Sequence, residues 1–339
     1  MQPAIRTQHL TKYYGNRVIA VNDMNLEIPQ GAVFGLLGPN GAGKTSTIRL
    51  LLGLQRPSAG CAEVFGHRCG SHSVTVRSLI GYLPTNPKLP GNLRPIEYLD
   101  LLGQLCRLPG EVRKPRLTSL LRAVGLLRIT DRRIQSLSTG ETTRLGIAAS
   151  LMADPPLLIW DEPTAGLDPA ARRFTLDLIR ELGRNHTIVI ATHILNDIDQ
   201  ICDSVGVMYE GRMIFRGSMQ EMKNRLRHQD FTLELETSAD VLDRLTIELA
   251  ELKGIEASAR GGQTLAVRVL NGQSRAAVLE EVLRRVAAAN VPLQAVHSGQ
   301  HDTETAYLQL LQEEEAHGFS RFDLNVRHAV PAVSGHLPP

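Results

Sequence analysis

The sequence lacks an excess of charge of either sign. Its 339 residues include 37 basic and 35 acidic side chains, which leaves a formal net charge of +2. Such an even balance gives no electrostatic reason to expect a nucleic acid or an anionic membrane surface as the partner. Hydrophobic residues at 42% and charged residues at 21% are ordinary globular proportions, so disorder of the whole chain is excluded. The length predicts two domains.

Cysteines are few and follow no pattern. Cys61, Cys69, Cys106 and Cys202 form no C-x-x-C pair and have no neighbouring pair of histidines. The sequence therefore predicts neither a disulfide framework nor a zinc site, and it indicates a reducing, cytosolic compartment.

Long hydrophobic runs are also missing. No stretch approaches the roughly 18 apolar residues that a membrane helix needs, and the longest runs, such as 155–160, have the length of a buried strand. The first ten residues lack the basic and apolar segments of a secretion signal. If the protein works at a membrane, we expect another chain to cross it.

Short apolar runs alternate with amphipathic stretches through the first two thirds of the chain. Because this alternation is typical of parallel sheets covered by helices, we predict an α/β domain at residues 1–222 with a mixed sheet at its core. The last two strands, 205–209 and 213–216, flank Gly211 as a closing hairpin. The other predicted buried strands are 33–37, 79–83, 157–160 and 187–191.

A polar stretch at 223–230 predicts a linker, and a second pattern of strands and helices follows it. A strand at 231–235, a leucine-striped helix, a hairpin turning at Gly261 and Gly262, a second helix and a strand at 291–296 occur in that order. The order β-α-β-β-α-β predicts a smaller α+β domain of the ferredoxin-like type.

We assign this accessory domain to residues 231–314, with a last helix at about 303–314. It contains no glycine-rich loop and no cluster of His and Cys. We therefore interpret it as a packing or regulatory appendage. Residues 315–339 show no periodicity, and we predict that they form a disordered tail.

The segment from Gly38 to Thr45 reads GPNGAGKT and fits the pattern G-x-x-x-x-G-K-[ST] between a predicted strand and a predicted helix at 46–52. Its glycines let successive backbone N–H groups point at an anion, and the helix N-terminus adds its dipole. Lys44 would reach the β- and γ-phosphates and Thr45 would ligate Mg²⁺, so ATP and Mg²⁺ are the expected ligands. The predicted nucleotide-binding residues are Gly38, Pro39, Asn40, Gly41, Ala42, Gly43, Lys44, Thr45 and Ser46.

Two carboxylates follow the apolar strand at 157–160. Strand ends beside a phosphate loop are where Mg²⁺ and water have to be held. Asp161 therefore suits the metal shell together with Thr45, and Glu162 suits polarising the attacking water. Lys44 and Glu162 are accordingly predicted catalytic residues.

Six motifs in order resemble those of the nucleotide-binding subunits of ATP-binding cassette (ABC) transporters, over about the first 220 residues. Besides the phosphate loop and the two carboxylates, residues 137–141 read LSTGE and resemble the family signature LSGGQ. Residues 166–168 resemble the D-loop, and His193 matches the switch histidine. Tyr14 matches the aromatic residue on which adenine stacks, with Tyr13 as the alternative.

The resemblance implies an ABC-type P-loop fold in which two ATP molecules are sandwiched between two subunits, expected to be a homodimer. The signature of one subunit would face the γ-phosphate bound by the other. His193 would contact the γ-phosphate as a third catalytic residue, and Asp168 would help to join the subunits. A helical insert at about 88–135 would pass the movement to integral membrane permease subunits on separate chains. The signature residues are Ser138, Thr139, Gly140 and Glu141.

Three positions depart from the family pattern. Thr85 stands where the family has a glutamine that touches Mg²⁺ and transmits the nucleotide state to the permease. Thr139 replaces the first glycine of the signature and adds a β-branched side chain, and Glu141 replaces its glutamine. Our hypothesis is that ATP binding is intact while closure, hydrolysis rate or coupling is altered.

The resemblance implies an ATPase that powers transport, cytoplasmic and attached to the inner face of the cytoplasmic membrane through its permease. The small αβ extension is similar to that of ABC-2 exporters, which favours export. The alternative is a regulatory or immunity ABC ATPase with weak hydrolysis that moves no substrate. ABC proteins of DNA repair are disfavoured, because the stretch from Thr45 to Leu137 is too short and too rich in proline for their coiled coils. A translation factor would need two cassettes.

Overall fold

The computed structural model describes residues 2–15, 18–70, 73–225, 231–252, 254–260, 263–269, 274–298 and 303–316. The chain divides into two compact units: Met1–Met219 together with the segment that begins at Leu310, and Gln220–Gln309.

Fourteen strands and eleven α-helices occur within the described residues. In chain order the strands are β1 (Ile5–Tyr14), β2 (Val18–Ile28), β3 (Val33–Leu37), β4 (Ala59–Val64), β5 (His67–Arg68), β6 (Ile80–Leu83), β7 (Leu157–Asp161), β8 (Thr187–Thr192), β9 (Ser204–Tyr209), β10 (Arg212–Ser218), β11 (Phe231–Leu235), β12 (Ile255–Arg260), β13 (Thr264–Val269) and β14 (Leu293–Ser298). The helices are α1 (Lys44–Leu51), α2 (Ser73–Ser78), α3 (Pro95–Leu105), α4 (Gly110–Ala123), α5 (Thr139–Ser150), α6 (Pro169–Leu182), α7 (Leu195–Ile201), α8 (Met219–Arg225), α9 (Ala239–Ala250), α10 (Arg275–Ala288) and α11 (Thr303–Ala316).

The first unit is built on a six-stranded sheet with the order β10-β9-β3-β8-β7-β6. Strands β9, β3, β8, β7 and β6 are parallel, and β10 pairs with β9 as an antiparallel edge hairpin. Every residue of β3, β7 and β8 is buried, which explains why these strands read as continuous apolar runs rather than as alternating patterns. The predicted α/β fold and its mixed sheet are confirmed.

A second, antiparallel sheet with the order β2-β1-β4-β5 belongs to the same unit, and sequence analysis did not predict it. The pairing of β1 with β2 shifts register at several points along its length. These irregularities interrupt the period-two alternation by which a half-buried strand is recognised. The side chains of Ile5, Leu10 and Met24 from this sheet are fully buried in the common core with Phe34 of β3.

Helices α3 and α4, followed by two short 3₁₀ turns at Leu127–Ile129 and Ile134–Ser136, occupy the region predicted as a helical insert at 88–135. Pro115 lies inside α4. In the ranges that the structure covers, none of the helices combines the length and the hydrophobicity required to span a bilayer.

The second unit contains the antiparallel sheet β12-β13-β11-β14 and the helices α9 and α10. With the element order β-α-β-β-α-β, this strand order is the ferredoxin-like arrangement, as predicted. Its core joins alternate residues of β11 with the apolar stripe of α9, which includes Leu242, Leu245 and Leu249. The predicted turn at Gly261 and Gly262 lies outside the described residues.

Two predicted domain boundaries differ from the observed elements. Helix α8 continues to Arg225, three residues into the predicted linker at 223–230, and the side chain of Met222 within it is buried. Helix α11 continues to Ala316, past the predicted domain end at 314, and the rest of the predicted tail lies outside the described residues. From Leu310 onward this helix groups with the first unit. There Glu314 pairs with Arg212 at 3.1 Å.

Candidate functional site

Three adjacent parallel strands end side by side and place the site. In the sheet, Leu37 at the end of β3 pairs with Thr192 at the end of β8, and Ala191 pairs with Asp161 at the end of β7. The loops that leave these strands therefore start at one edge of the sheet, where open α/β folds bind their ligands. This edge brings together the phosphate loop, the two carboxylates and the switch histidine, which are far apart in sequence.

The backbone of the phosphate loop adopts a conformation that larger residues at its glycine positions would prevent. Gly41 and Gly43 have φ angles of 84° and 110°, in the left-handed region that favours glycine. A Cβ on Gly38 would lie 2.3 Å from the carbonyl oxygen of Met208. The loop leads directly into α1, which starts at Lys44, so the first N–H groups of this helix face the loop's concave side.

Lys44 is buried at the centre of the loop. Its Nζ donates hydrogen bonds to the carbonyl oxygens of Gly38 at 2.6 Å and Pro39 at 3.2 Å, and it lies 3.7 Å from Oε1 of Glu162. Desolvation lowers the pKa of Lys44, while the charges of Glu162 and Asp161 oppose this shift. An ammonium held on loop carbonyls can exchange them for phosphate oxygens.

Thr45 and Asp161 form a pair of oxygen donors next to this lysine. The Thr45 hydroxyl donates a hydrogen bond to Oδ2 of Asp161 at 2.9 Å, and the Thr85 hydroxyl donates one to the main-chain oxygen of Asp161 at 3.2 Å. Burial raises the pKa of Asp161, and the hydrogen bond from Thr45 acts in the opposite direction. The sequence-predicted metal residues are therefore in contact, and Thr85 lies beside them.

These donors fit Mg²⁺. The ion prefers oxygen ligands and is commonly held by one or two protein groups together with phosphate oxygens and water. Across the ranges listed for the fold, no group of three or more His, Cys, Asp or Glu side chains has the arrangement of a complete protein-only metal cage. Thr45 and Asp161 would thus share the ion with a bound nucleotide.

Glu162 is fixed by its neighbours on β8. Its carboxylate lies 3.0 Å from Nδ1 of His193 and accepts a hydrogen bond from the Thr192 hydroxyl at 3.1 Å. The backbone N–H of Glu162 donates to the carbonyl oxygen of Ala191 at 2.8 Å, and its φ angle is 54°. For a residue with a side chain this left-handed conformation costs about 1–2 kcal/mol. The surrounding contacts offset that cost and aim the carboxylate at the phosphate loop.

A cavity of about 400 Å³ opens over these groups. Tyr14 lines it, whereas Tyr13 does not. The Tyr14 hydroxyl contacts Gln55, and the Lys12 ammonium lies 5.4 Å from the centre of the Tyr14 ring. The lining residues are Tyr14, Ala20, Asn40, Gly41, Ala42, Gly43, Lys44, Thr45, Ser46, Thr85, Asp161 and Glu162.

The signature begins α5 and lies outside the cavity lining. Ser138 is the N-cap: its hydroxyl accepts from the N–H of Glu141 at 3.2 Å, and the Glu141 carboxylate accepts from the N–H of Ser138 at 2.7 Å. Glu141 therefore closes a capping box. A Cβ on Gly140 would lie 3.5 Å from that of Ala171 in α6, and the side chains of Ser138 and Thr139 are exposed.

Asp168 caps α6 in the same manner, since its carboxylate accepts from the N–H of Ala171 at 2.9 Å. It is exposed and does not line the cavity. The sequence-predicted residues thus fall into two groups. Residues 40–46 of the phosphate loop, Asp161, Glu162, Thr85 and Tyr14 line one cavity with His193 against Glu162, and Gly38 and Pro39 accept hydrogen bonds from Lys44 behind it. The signature and Asp168 do not line this cavity.

Three residues of the site were missed by sequence reasoning. Thr192 holds Glu162, Gln55 holds Tyr14, and Ala20 lines the cavity from β2. The position of Thr192 directly before His193 at a strand end was an available signal. Gln55 and Ala20 carry no such signal, because only the tertiary fold brings them to the phosphate loop.

The family model described as "ABC transporter" matches residues 21–165. The Nod factor export ATP-binding protein I of Ralstonia nicotianae is 35% identical over 265 residues, which are 78% of this chain and 80% of that protein. The daunorubicin/doxorubicin resistance ATP-binding protein DrrA of Streptomyces peucetius is 37% identical over 250 residues, 74% and 76% of the two chains. The bacitracin transport ATP-binding protein BcrA of Bacillus licheniformis is 38% identical over 245 residues, 71% and 79%.

Solved structures give the same result. A chain described as the ATP-binding subunit of an ABC transporter superposes with a TM-score of 0.61 at 29% identity, over 73% of this chain and 100% of that one. The structure of cbiO1 from Clostridium perfringens, part of the ABC transporter complex cbiONQ, superposes with a TM-score of 0.60 at 28% identity, over 67% and 96%.

We predict that Gly38→Ala weakens nucleotide binding, because its methyl group would meet the carbonyl oxygen of Met208 and push the loop out of shape. We expect affinity for a non-hydrolysable ATP analogue, measured by titration calorimetry, to fall by about tenfold or more, or roughly 1.4 kcal/mol. Gly110→Ala is the matched control, since nothing lies within 4 Å of the added Cβ at the start of α4. Equal affinities for the two variants would contradict the prediction.

Proposed function

The chain belongs to the ABC transporter family, and from this premise we propose that it is an ATPase subunit that closes around ATP with a second subunit and powers export through separate membrane permease subunits. The observation that supports this proposal best is the placement of the Glu162 carboxylate, 3.7 Å from Lys44 and 3.0 Å from His193 at the edge of the cavity. The proposed ligands are ATP and Mg²⁺.

In the proposed reaction each side chain has one task. The backbone N–H groups of the phosphate loop and Lys44 bind the β- and γ-phosphates. Glu162 accepts a hydrogen bond from the attacking water, and His193 orients Glu162 and contacts the γ-phosphate. Mg²⁺, when bound, would be held by Thr45 and Asp161 and would neutralise charge on the phosphates. Tyr14 stacks against adenine.

A second subunit is needed to complete this site. The signature residues Ser138, Thr139, Gly140 and Glu141 begin a helix, and a helix N-terminus attracts anions, but they do not line the cavity of their own chain. We propose that they face the γ-phosphate in a second copy, so that ATP holds a homodimer together. Asp168, exposed at the start of α6, would contact the partner.

The names of the relatives support export. Three proteins that are 35–38% identical to this chain over 245–265 aligned residues are described by their names as serving Nod factor export, daunorubicin/doxorubicin resistance and bacitracin transport. We propose that this chain likewise serves an exporter and is held at the inner face of the cytoplasmic membrane by its permease. The insert α3–α4 would transmit the closing movement.

Replacing Glu162 with Gln should stop turnover and preserve ATP binding, because the amide keeps the size of the side chain and loses its basicity. We expect kcat for ATP hydrolysis to fall by about 10²–10⁴-fold, and addition of Mg²⁺-ATP should convert the protein into a dimer on size-exclusion chromatography. Lys44→Ala removes the contact with the phosphates and should abolish both ATP hydrolysis and the conversion into a dimer by ATP. A Glu162→Gln variant that hydrolyses ATP like the parent, or stays monomeric with ATP, would disprove the assignment.

The two threonines test the hypothesis of altered hydrolysis or coupling. Thr85 is hydrogen bonded to the main chain of Asp161, and Thr139 occupies the first position of α5. We expect Thr85→Gln and Thr139→Gly to change steady-state ATPase activity by severalfold while leaving ATP affinity unaltered. The conservative Thr85→Ser, which keeps the hydroxyl, is the control. Thr85→Ser should keep the parent's activity, and parental activity in both Thr85→Gln and Thr139→Gly would refute the hypothesis.

Association with a permease distinguishes the proposal from a regulatory ATPase that moves no substrate, the alternative that Thr85 and Thr139 keep open. If a neighbouring gene encodes a membrane protein, we expect the two proteins, when co-expressed, to co-purify from detergent-solubilised membranes, and we expect ATP to drive transport in vesicles. The Glu162→Gln variant should co-purify without transport. Recovery of the chain only from the soluble fraction would favour the regulatory alternative.

A further inference from the structure

Asp197 is a buried carboxylate outside the cavity lining, and none of the motifs includes it. It lies in the first turn of α7, the helix that follows His193, and is 1% exposed. A buried carboxylate is costly unless its oxygens are paired. Both oxygens of Asp197 have partners, and these partners come from a different part of the chain.

The two partners bracket the segment 164–172, which contains Asp168 and begins two residues after Glu162. One oxygen, Oδ2, accepts a hydrogen bond from the hydroxyl of Thr164, which is buried two residues after Glu162. The other oxygen, Oδ1, pairs with Arg172, whose Nε lies at 2.7 Å and whose Nη2 lies at 2.6 Å. The N–H of Arg172 bonds the carbonyl oxygen of Asp168, so it stands one helical turn into α6.

The intervening segment has few other restraints in the described part of the chain. Its turns are held by weak main-chain contacts, from the N–H of Ala165 to Glu162 and from that of Leu167 to Thr164, each at 3.3 Å. Gly166 is exposed and has a φ angle of 71°. The carboxylate of Asp197 is therefore the group that ties both ends of this segment to the helix that begins beside His193.

We propose that Asp197 is a positioning residue: through Thr164 and Arg172 it fixes the segment 164–172 against helix α7, which begins beside His193, so that Asp168 and the adjoining Glu162 are oriented together. This inference rests on the proposed ATPase function. It follows that loss of the carboxylate misplaces Glu162 in the hydrolysis step. Lys44 and Thr45 of the phosphate loop have other hydrogen-bond partners than Asp197. The loop should therefore keep its affinity for ATP when the carboxylate is lost.

The test compares steady-state ATPase kinetics of Asp197→Asn with those of the parent. We expect kcat to fall by about tenfold or more while KM for ATP stays within about twofold. Asp177→Asn is the matched control, because this exposed carboxylate also pairs with an arginine of α6, Arg180, at 2.7 Å. It should leave both constants unchanged.

A second pair of variants keeps the inference testable if Asp197→Asn does not fold. Thr164→Val removes the hydroxyl at nearly constant volume, and Thr164→Ser restores it. We expect kcat to fall in the valine variant and to recover in the serine variant, with melting temperatures that do not follow the same order. A residue that only stabilises the fold would shift the melting temperature without this rescue of kcat.

Three outcomes would overturn the inference. Folded Asp197→Asn and Thr164→Val proteins with the parent's kcat would show that the contact does not position Glu162, while the proposed ATPase function would stand. A rise in KM at constant kcat would assign Asp197 to ATP binding instead. If the parent itself turned over no ATP, both the inference and the proposed function would fail.

Discussion

The site depends on three ionisable side chains at one edge of a parallel sheet, of which Lys44 and Asp161 are buried and Glu162 is partly buried. Lys44 and Asp161 are 6% and 2% exposed, and Glu162 lies between Lys44 and His193. Each charge would be costly alone, and together they are tolerated because opposite charges and hydroxyls surround them. Burial lowers the pKa of Lys44 and raises the pKa of Asp161, and both shifts favour the uncharged form of the side chain. Bound ATP brings the charges of its phosphates to this arrangement.

The packing at the same edge of the sheet also constrains the backbone and the side-chain size of the site residues. Gly38 has no room for a Cβ, and Glu162 adopts a left-handed backbone conformation that the neighbouring strand β8 stabilises. Strain at a site persists only where packing determines the geometry. The contacts of buried Asp197 with Thr164 and Arg172 likewise restrain the loop that follows Glu162. This loop leads from Glu162 to the surface around Asp168.

Sequence patterns predicted most of the first unit's parallel strands and the second unit's element order. They succeeded because buried strands are continuous apolar runs. They failed for the antiparallel sheet that contains β1 and β2, whose register shifts break the alternation. They also did not predict that α8 reaches Arg225, because the polar residues after Met222 carry no apolar periodicity.

By itself the sequence determined the chemistry: a loop that binds phosphate, two carboxylates after an apolar strand and a histidine after another. Each of these signals is local, because backbone conformation and strand burial act on neighbouring residues. Only the tertiary structure decided that Tyr14 rather than Tyr13 lines the cavity, that Thr192 holds Glu162, and that the signature stands apart from its own phosphate loop. These facts depend on which strands are adjacent in the sheet. Strands that are adjacent in the sheet but distant in sequence cannot be paired from a local sequence pattern.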